Sequence, residues 1–286
     1  MTYPLHLIGP NDVSTPEGGL YPFDLFAHRY LAQGDSWFSI GAIPPTATTN
    51  LLQPLQLAQA AVAVNCAIPG RALAHMTDRL GNPGFIKLLD QWTWDALLLS
   101  GGGNDLIDAA QVGPDQPAAL RLLATAAERP ADPAPDDCIS APGWATFAAH
   151  LGQVFGEFMA LRATGPNQAT PLVLHDYAFL TPRFAPAGPG FGPWLAPALQ
   201  AFDVPAPLWK PVADALLARL GALLHALVAA HQDGTLQLVD SQTVALVQAD
   251  PASTGASGDF ANEIHPAASG YARLAAAWAP VLDALP

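Results

Sequence analysis

Short, nearly unbroken runs of apolar residues recur along the chain, each closing on polar or glycine-rich residues. Runs at 29–33, 62–66, 94–100, 171–175 and 235–240 read as strands. Because they are continuous rather than alternating, they suit parallel strands covered on both faces. The first is the shortest in apolar content, with only Tyr30, Leu31 and Ala32. Helical periodicity appears between them at 50–60, 71–80, 143–162 and 211–231. The last of these carries Leu216, Leu217, Leu220, Leu223, Leu224 and Leu227 on one stripe. A final helix runs from about Pro266 through Leu274 and ends near Pro280. Strands alternating with helices predict one α/β domain over residues 1–286 with a central five-stranded parallel sheet. No internal repeat is visible.

Two proline-rich segments, at about 112–142 and 181–211, interrupt the alternation and hold much of the chain's 29 prolines. The second also carries Phe184, Phe191, Trp194, Phe202 and Trp209. Both are insertions after strands, so neither reads as a linker. Long loops in that position build or cover a ligand site. The plainer alternative is a proline-stiffened loop whose rings plug into the outer surface, and composition leaves both open.

Composition narrows the classes. Of 286 residues, 51% are apolar and 12% charged, which excludes disorder. Eleven cations against 24 anions give a net charge of −13, leaving no basic footprint for nucleic acid or anionic membranes. Cys66 and Cys138 are too few for a disulfide framework or a zinc site, and no metal is expected. Cys66 ends the run 61–66 and reads as a buried thiol. Residues 1–28 lack Lys, Arg and a continuous apolar core, so no secretory signal is read there. The apolar stretch 216–230 is broken by Arg219 and His225, so no membrane span is expected. These features predict a reduced, cytoplasmic protein, with signal-independent export left open.

Four blocks carry chemistry, each following a different predicted strand. Gly34-Asp35-Ser36 places a hydroxyl in a turn at a strand's carboxyl end, where a nucleophile meets a ligand. Gly70, in Ile68-Pro69-Gly70-Arg71, offers a backbone N–H at the same edge. Ser100-Gly101-Gly102-Gly103-Asn104-Asp105 lets backbone approach a ligand closely and supplies the Asn104 amide, suited to an oxyanion. A phosphate loop is the rival, but no Gly-Lys-Ser/Thr follows. Asn262-Glu263-Ile264-His265-Pro266 puts an imidazole just before the last helix. Taken singly, each has a plain explanation in a helix cap or turn. His75, His150, His225 and His231 sit in helical patterns with no ligand cluster in the sequence.

The ordered set Ser36, Gly70, Asn104, His265, with Gly-Asp-Ser first and Gly-x-Asn-Asp third, resembles the SGNH hydrolases, the GDSL-type lipases and esterases. The resemblance spans about residues 30–275. It implies a flavodoxin-like three-layer α/β/α sandwich and a serine hydrolase that cleaves carboxylic esters without cofactor. It implies Ser36 as nucleophile and His265 as general base. The Ser36 and Gly70 backbone N–H groups and the Asn104 amide would form the oxyanion hole, while Asp105 caps the following helix. The expected partner is a small-molecule or lipid-like ester.

One position departs from the family. Its usual Asp, three residues before the His, is Asn262 here. Asparagine supplies no charge to an imidazolium, and its NH₂, if presented to the ring, would favour the wrong tautomer. A Ser–His dyad is the expected arrangement, its ring held by a backbone carbonyl or by Asn262, with Glu263 as the alternative third member. Glu263, one residue displaced, points off the face of His265 and reads as solvated. Two alternatives accompany the esterase reading. One is a carbohydrate O-deacetylase, for which Trp194 and Trp209 offer stacking; the other is a binding module that has lost its chemistry at Asn262.

Overall fold

The computed structural model describes residues 1–14, 19–39, 49–231 and 234–285. Six parallel strands form the central sheet: β1 (His6–Ile8), β2 (His28–Gly34), β3 (Ala61–Asn65), β4 (Ala96–Ser100), β5 (Leu172–His175) and β6 (Leu236–Val239). Their order is β1-β3-β2-β4-β5-β6, with Leu31 of β2 opposite both Val64 of β3 and Leu97 of β4. Five of the six match the apolar runs. The sixth, β1, is a three-residue edge strand with His6 exposed, too short and too polar to stand out. Consecutive residues of a strand face opposite sides of the sheet. Leu97, Leu98 and Leu99 are all 1% exposed, so both faces are covered, as continuous apolar runs require.

The helices are α1 (Leu73–Met76), α2 (Pro83–Gln91), α3 (Gly103–Ala110), α4 (Ala141–Ala163), α5 (Leu195–Ala201), α6 (Trp209–Ala230) and α7 (Ala268–Asp283). The predicted helices at 143–162 and 211–231 are α4 and α6. Residues 50–60 are not helical. Asn50 Oδ1 there accepts from the Leu52 and Gln53 N–H groups, holding a turn that buries Leu51, Leu52 and Leu55. Gln56–Leu57 then pairs antiparallel with Tyr3–Pro4. Leucines at helical spacing thus plug a turn, a case where tertiary contact overrides period. The predicted helix at 71–80 shrinks to the single turn α1. Pro83 opens α2 at its first-turn position, where its missing N–H costs no hydrogen bond. The last helix continues past Pro280 to Asp283 and buries Leu282.

α6 is long and apolar enough, by length and composition alone, to cross a membrane. In the structure Val212, Leu216, Leu217, Leu220 and Leu224 are buried, and α6 packs against β6, α4 and α5. One face of α6 is thus packed on the fold, while Ala218, Ala222, His225 and Ala226 are exposed.

The β2 connection leads to β3 on one side, and the chain then crosses to β4 on the other. The carboxyl ends of β2 and β4 therefore flank a topological switch point, where open α/β sheets form ligand crevices. The two proline-rich segments divide in role. Residues 112–142 pack outside this crevice: Leu123 bridges Ile139, and buried Arg121 reaches Glu128 at 2.6 Å. Residues 181–211 run to the crevice. Of the cysteines, Cys66 and Cys138 are both free and buried.

The 112–142 segment is pinned at Gly143, near the start of α4. A Cβ there would lie 1.9 Å from the Arg121 carbonyl oxygen, a backbone atom that cannot swing aside. Gly143→Ala is expected to destabilise the protein by about 1–3 kcal/mol, the usual range for overpacking, seen as a lower Tm in thermal unfolding.

Candidate active site

The turn after β2 begins with Asp35. Its Oδ1 accepts from Trp37 N–H at 2.9 Å, and its carbonyl accepts from Phe38 and Ser39 N–H. This winds one tight turn that presents Ser36 at the carboxyl end of the central strand. His265 arrives from the turn before α7, and its Nε2 lies 2.7 Å from Ser36 Oγ. Ser36 is 6% and His265 5% exposed, so the pair is largely shielded from water.

Asn262 Oδ1 orients the imidazole. It lies 3.0 Å from His265 Nδ1, and it also accepts from the backbone N–H groups of His265 at 2.9 Å and Ile264 at 3.1 Å. Backbone N–H groups only donate, so the amide atom facing them is the oxygen. The proton on that side of the ring therefore sits on Nδ1, and Nε2 keeps its lone pair toward the Ser36 hydroxyl. Of the groups left open by the sequence, it is the Asn262 side-chain oxygen that faces the ring, and the wrong tautomer is avoided. Burial with no facing carboxylate pushes the His265 pKa down to about 4. The ring is thus neutral and able to accept a proton over the ordinary pH range.

Glu263 departs from its predicted solvated position. It is fully buried, and its carboxylate accepts four backbone N–H groups: Arg183 at 3.1 Å, Leu195 at 3.0 Å, Ala196 at 2.7 Å, and Trp194. Burial raises its pKa, while the four donors pull the other way. It does not touch the imidazole. It anchors the 181–211 segment at the start of α5, bringing the Trp194 ring edge-on to His265 at 5.3 Å between centroids. From the same segment, buried Arg183 donates from Nη2 to the Asn262 carbonyl at 2.7 Å.

Asn104 follows β4 in the first turn of α3, and its Nδ2 donates to the Arg71 carbonyl at 3.3 Å. The close approach here requires Gly103, where a Cβ would fall 2.6 Å from the Tyr177 ring. Asp105 does not cap α3: its Oδ2 accepts from Leu73 N–H at 2.9 Å and so ties α3 to α1. Ser36 and Asn104 share a narrow cavity of about 30 Å³ whose apolar wall is Leu106, Ile107, Leu180, Leu195, Leu217 and Ile264. Gly70 stands at the same sheet edge in the left-handed region (φ +74°), exposed, and lines the neighbouring cleft with Arg71 and His75. The structure therefore brings Ser36, Asn104, Asn262 and His265 together, with Gly70 one cleft away. Trp209 is elsewhere, edge-on to Phe184.

Reading the sequence missed a second hydroxyl–imidazole pair, Ser100 and His175, with Oγ and Nε2 2.9 Å apart. Both are fully buried, so neither meets a substrate. Each is the last residue of its strand, Ser100 of β4 and His175 of β5, and no motif spacing links them. Asp176, His225 and Asp240 form the one cluster of potential ligand atoms among the described residues. Asp176 Oδ1 already accepts from Ser241 and Gln242 N–H. Burial and the facing Asp240 push the Asp176 pKa up to about 7.

Two outcomes follow from this geometry. In ¹⁵N NMR titrations the His265 ring is expected to stay neutral down to about pH 4. Asn262→Asp places a carboxylate beside Nδ1, stabilises the imidazolium and raises that value; an unchanged titration would mean that the position does not contact the ring. Glu263→Gln puts an NH₂ where two backbone N–H groups point. It is expected to cost about 2–4 kcal/mol, read by chemical denaturation, from buried donors left without an acceptor.

Comparison with known proteins agrees with this geometry. The family model for GDSL-like lipase/acylhydrolase matches residues 30–278. No curated protein matches the chain. Among solved structures, the extracellular lipase of Streptomyces rimosus superposes with a TM-score of 0.50 at 16% identity, covering 91% of this chain and 100% of the lipase. The lipase Lip_vut3 from a goat rumen metagenome gives 0.52 at 13% identity, covering 91% and 98%. Such low identities establish the shared flavodoxin-like α/β fold. The family match across most of the sequence goes further: this chain belongs to the GDSL-like lipase/acylhydrolase family of ester-hydrolysing serine hydrolases.

Proposed function

We propose that the protein hydrolyses carboxylic esters with an apolar acyl group, through Ser36 as nucleophile and His265 as general base. The observation that carries this reading is the 2.7 Å contact between Ser36 Oγ and the lone-pair side of His265 Nε2. As Oγ attacks the ester carbonyl, its proton passes to Nε2; the same proton then leaves with the alcohol, and water repeats the cycle on the acyl-enzyme. Asn104 and the Ser36 N–H, which share one cavity, receive the oxyanion; Gly70 lines the neighbouring cleft. The leucine and isoleucine wall beside Ser36 supports an acyl group packed there.

Two observations weigh against the alternatives. Trp209 Nε1 donates to the Val204 carbonyl and its ring packs on Phe184, so it offers no stacking platform beside Ser36 for a sugar. Asn262 keeps the imidazole in the productive tautomer, which argues against a module that has lost its chemistry.

A fluorophosphonate probe is expected to label Ser36 in the intact protein, located by peptide mass spectrometry. Ser36→Ala should lose the labelling and about 10⁶ in kcat on a short p-nitrophenyl ester. Labelling elsewhere, or turnover surviving in Ser36→Ala, overturns the assignment. Leu217→Ala should widen the acyl wall and move the chain-length preference toward longer esters, since one methylene is worth about 1–3 kcal/mol in such a pocket.

A further inference from the structure

Directly behind Ser36 lies a buried polar cluster that the mechanism above does not use. Asp35, Ser100, His175 and Tyr177 are each 5% exposed or less. Tyr177 O–H donates to Asp35 Oδ2 at 2.5 Å. Asp35 Oδ1 lies 2.8 Å from Ser100 Oγ, and Ser100 Oγ lies 2.9 Å from His175 Nε2. On the far side of the ring, His175 Nδ1 is 2.6 Å from the Asp176 carbonyl oxygen.

Counting protons exposes a conflict. A carbonyl oxygen only accepts, so His175 Nδ1 must carry a proton. The Tyr177 proton is engaged by Oδ2. With Asp35 ionised and His175 neutral, the single Ser100 hydroxyl proton would have to serve two acceptors, Oδ1 and Nε2. One contact would then set lone pair against lone pair in a buried site, where an unmet acceptor is costly. One additional proton removes the conflict. Placed on Asp35 Oδ1, it donates to Ser100 Oγ, whose own proton goes to Nε2. Placed on Nε2, it donates to Oγ, whose proton goes to Oδ1. Both forms carry no net charge over the cluster and differ only by proton shifts through Ser100.

We propose that Asp35, Ser100 and His175 hold one shared proton that keeps the cluster behind the nucleophile uncharged, and that its loss to bulk hydroxide lowers kcat by setting a negative charge beside Ser36. The activity part rests on Ser36 as nucleophile; the proton count does not. An oxyanion forming at Ser36 is opposed by an ionised carboxylate on the adjacent residue and unopposed by a neutral one. Burial raises the Asp35 pKa to about 6 against the pull of the Tyr177, Trp37 and Ser100 donors, and lowers that of His175 to about 4, so the shared proton rests on the carboxyl side. The groups facing the cluster are Tyr177, Ser241, Asp105, Tyr271 and the rings of Trp37, Phe38 and Trp278; none is a cation, and the Asp105 charge further disfavours ionised Asp35.

The test reads the proton directly. Full-length protein carrying ¹⁵N-histidine and ¹³C-aspartate is titrated by NMR. Below the Asp35 value of about 6 the expected result is a protonated Asp35 carboxyl with a neutral, Nδ1-protonated His175, or an imidazolium with an ionised Asp35. An ionised Asp35 together with a neutral His175 in that range overturns the proposal. The same samples are assayed for kcat on a short p-nitrophenyl ester. An alkaline limb should coincide with the NMR midpoint, and its absence overturns the activity part. Ser100→Ala removes the hydroxyl that links Asp35 to His175. The Asp35 and His175 titrations should then uncouple, with the kcat limb following the Asp35 carbon. A limb that does not follow the Asp35 carbon overturns the proposal, and if the variant does not fold, the wild-type titration still decides. A protein with no esterase activity would sink the reading of Ser36 while leaving the NMR result to stand alone.

Discussion

The buried carboxylate of Glu263 is the constraint from which the site's order follows. Two oxygens accept four backbone N–H groups, all from the 181–211 segment, which saturates the acceptor capacity of a carboxylate. Those donors belong to consecutive residues at the start of α5 and to Arg183. One side chain thus fixes where a proline-rich segment with little regular structure meets the sheet edge. Trp194 stands against His265, and Leu195 enters the cavity wall, because their own N–H groups are held. Glu263 is also the neighbour of Asn262, whose carbonyl is held by Arg183 of the same segment. Loop and imidazole turn are therefore positioned by one interlocked set of contacts.

Asparagine in place of the family's aspartate separates two functions that a carboxylate performs together. Orientation survives, because Oδ1 accepts from Nδ1 while two backbone N–H groups hold the amide in that sense. Charge stabilisation of the imidazolium does not survive. In a serine protease triad, an Asp-to-Asn change costs about 10⁴ in kcat, largely through the wrong tautomer. Here the backbone donors forbid that tautomer, so what remains is the smaller loss of an uncompensated imidazolium. In its proposed role as base, His265 is always available and weakly driven.

Much of the architecture was legible because parallel strands buried on both faces must be written as continuous apolar runs. Five of six strands stood out for that reason, and their carboxyl ends collected Ser36, Asn104 and His265. The edge strand β1 was invisible because an edge of three residues needs no such run. The false helix at 50–60 arose because Leu51, Leu52 and Leu55 have helical spacing while Asn50 closes a turn on their N–H groups. Glu263 was misread for a related reason. Its partners lie 67 to 80 residues away in sequence, so no local pattern distinguishes a buried anchor from a solvated acid.

The two histidines of this region obey one rule. Each donates Nδ1–H to an uncharged oxygen, Asn262 Oδ1 or the Asp176 carbonyl, and each turns Nε2 toward a serine hydroxyl. Burial keeps both rings neutral. What separates them is access and the second neighbour of the serine. Ser36 opens on the apolar cavity, so its proton is free to move when a carbonyl carbon arrives. Ser100 is closed in and already faces Asp35, so its proton has nowhere to go except along the cluster. In the proposed mechanism the same pair of side chains is a reactive couple at Ser36 and a fixed electrostatic support at Ser100. The difference lies in the third atom each serine meets.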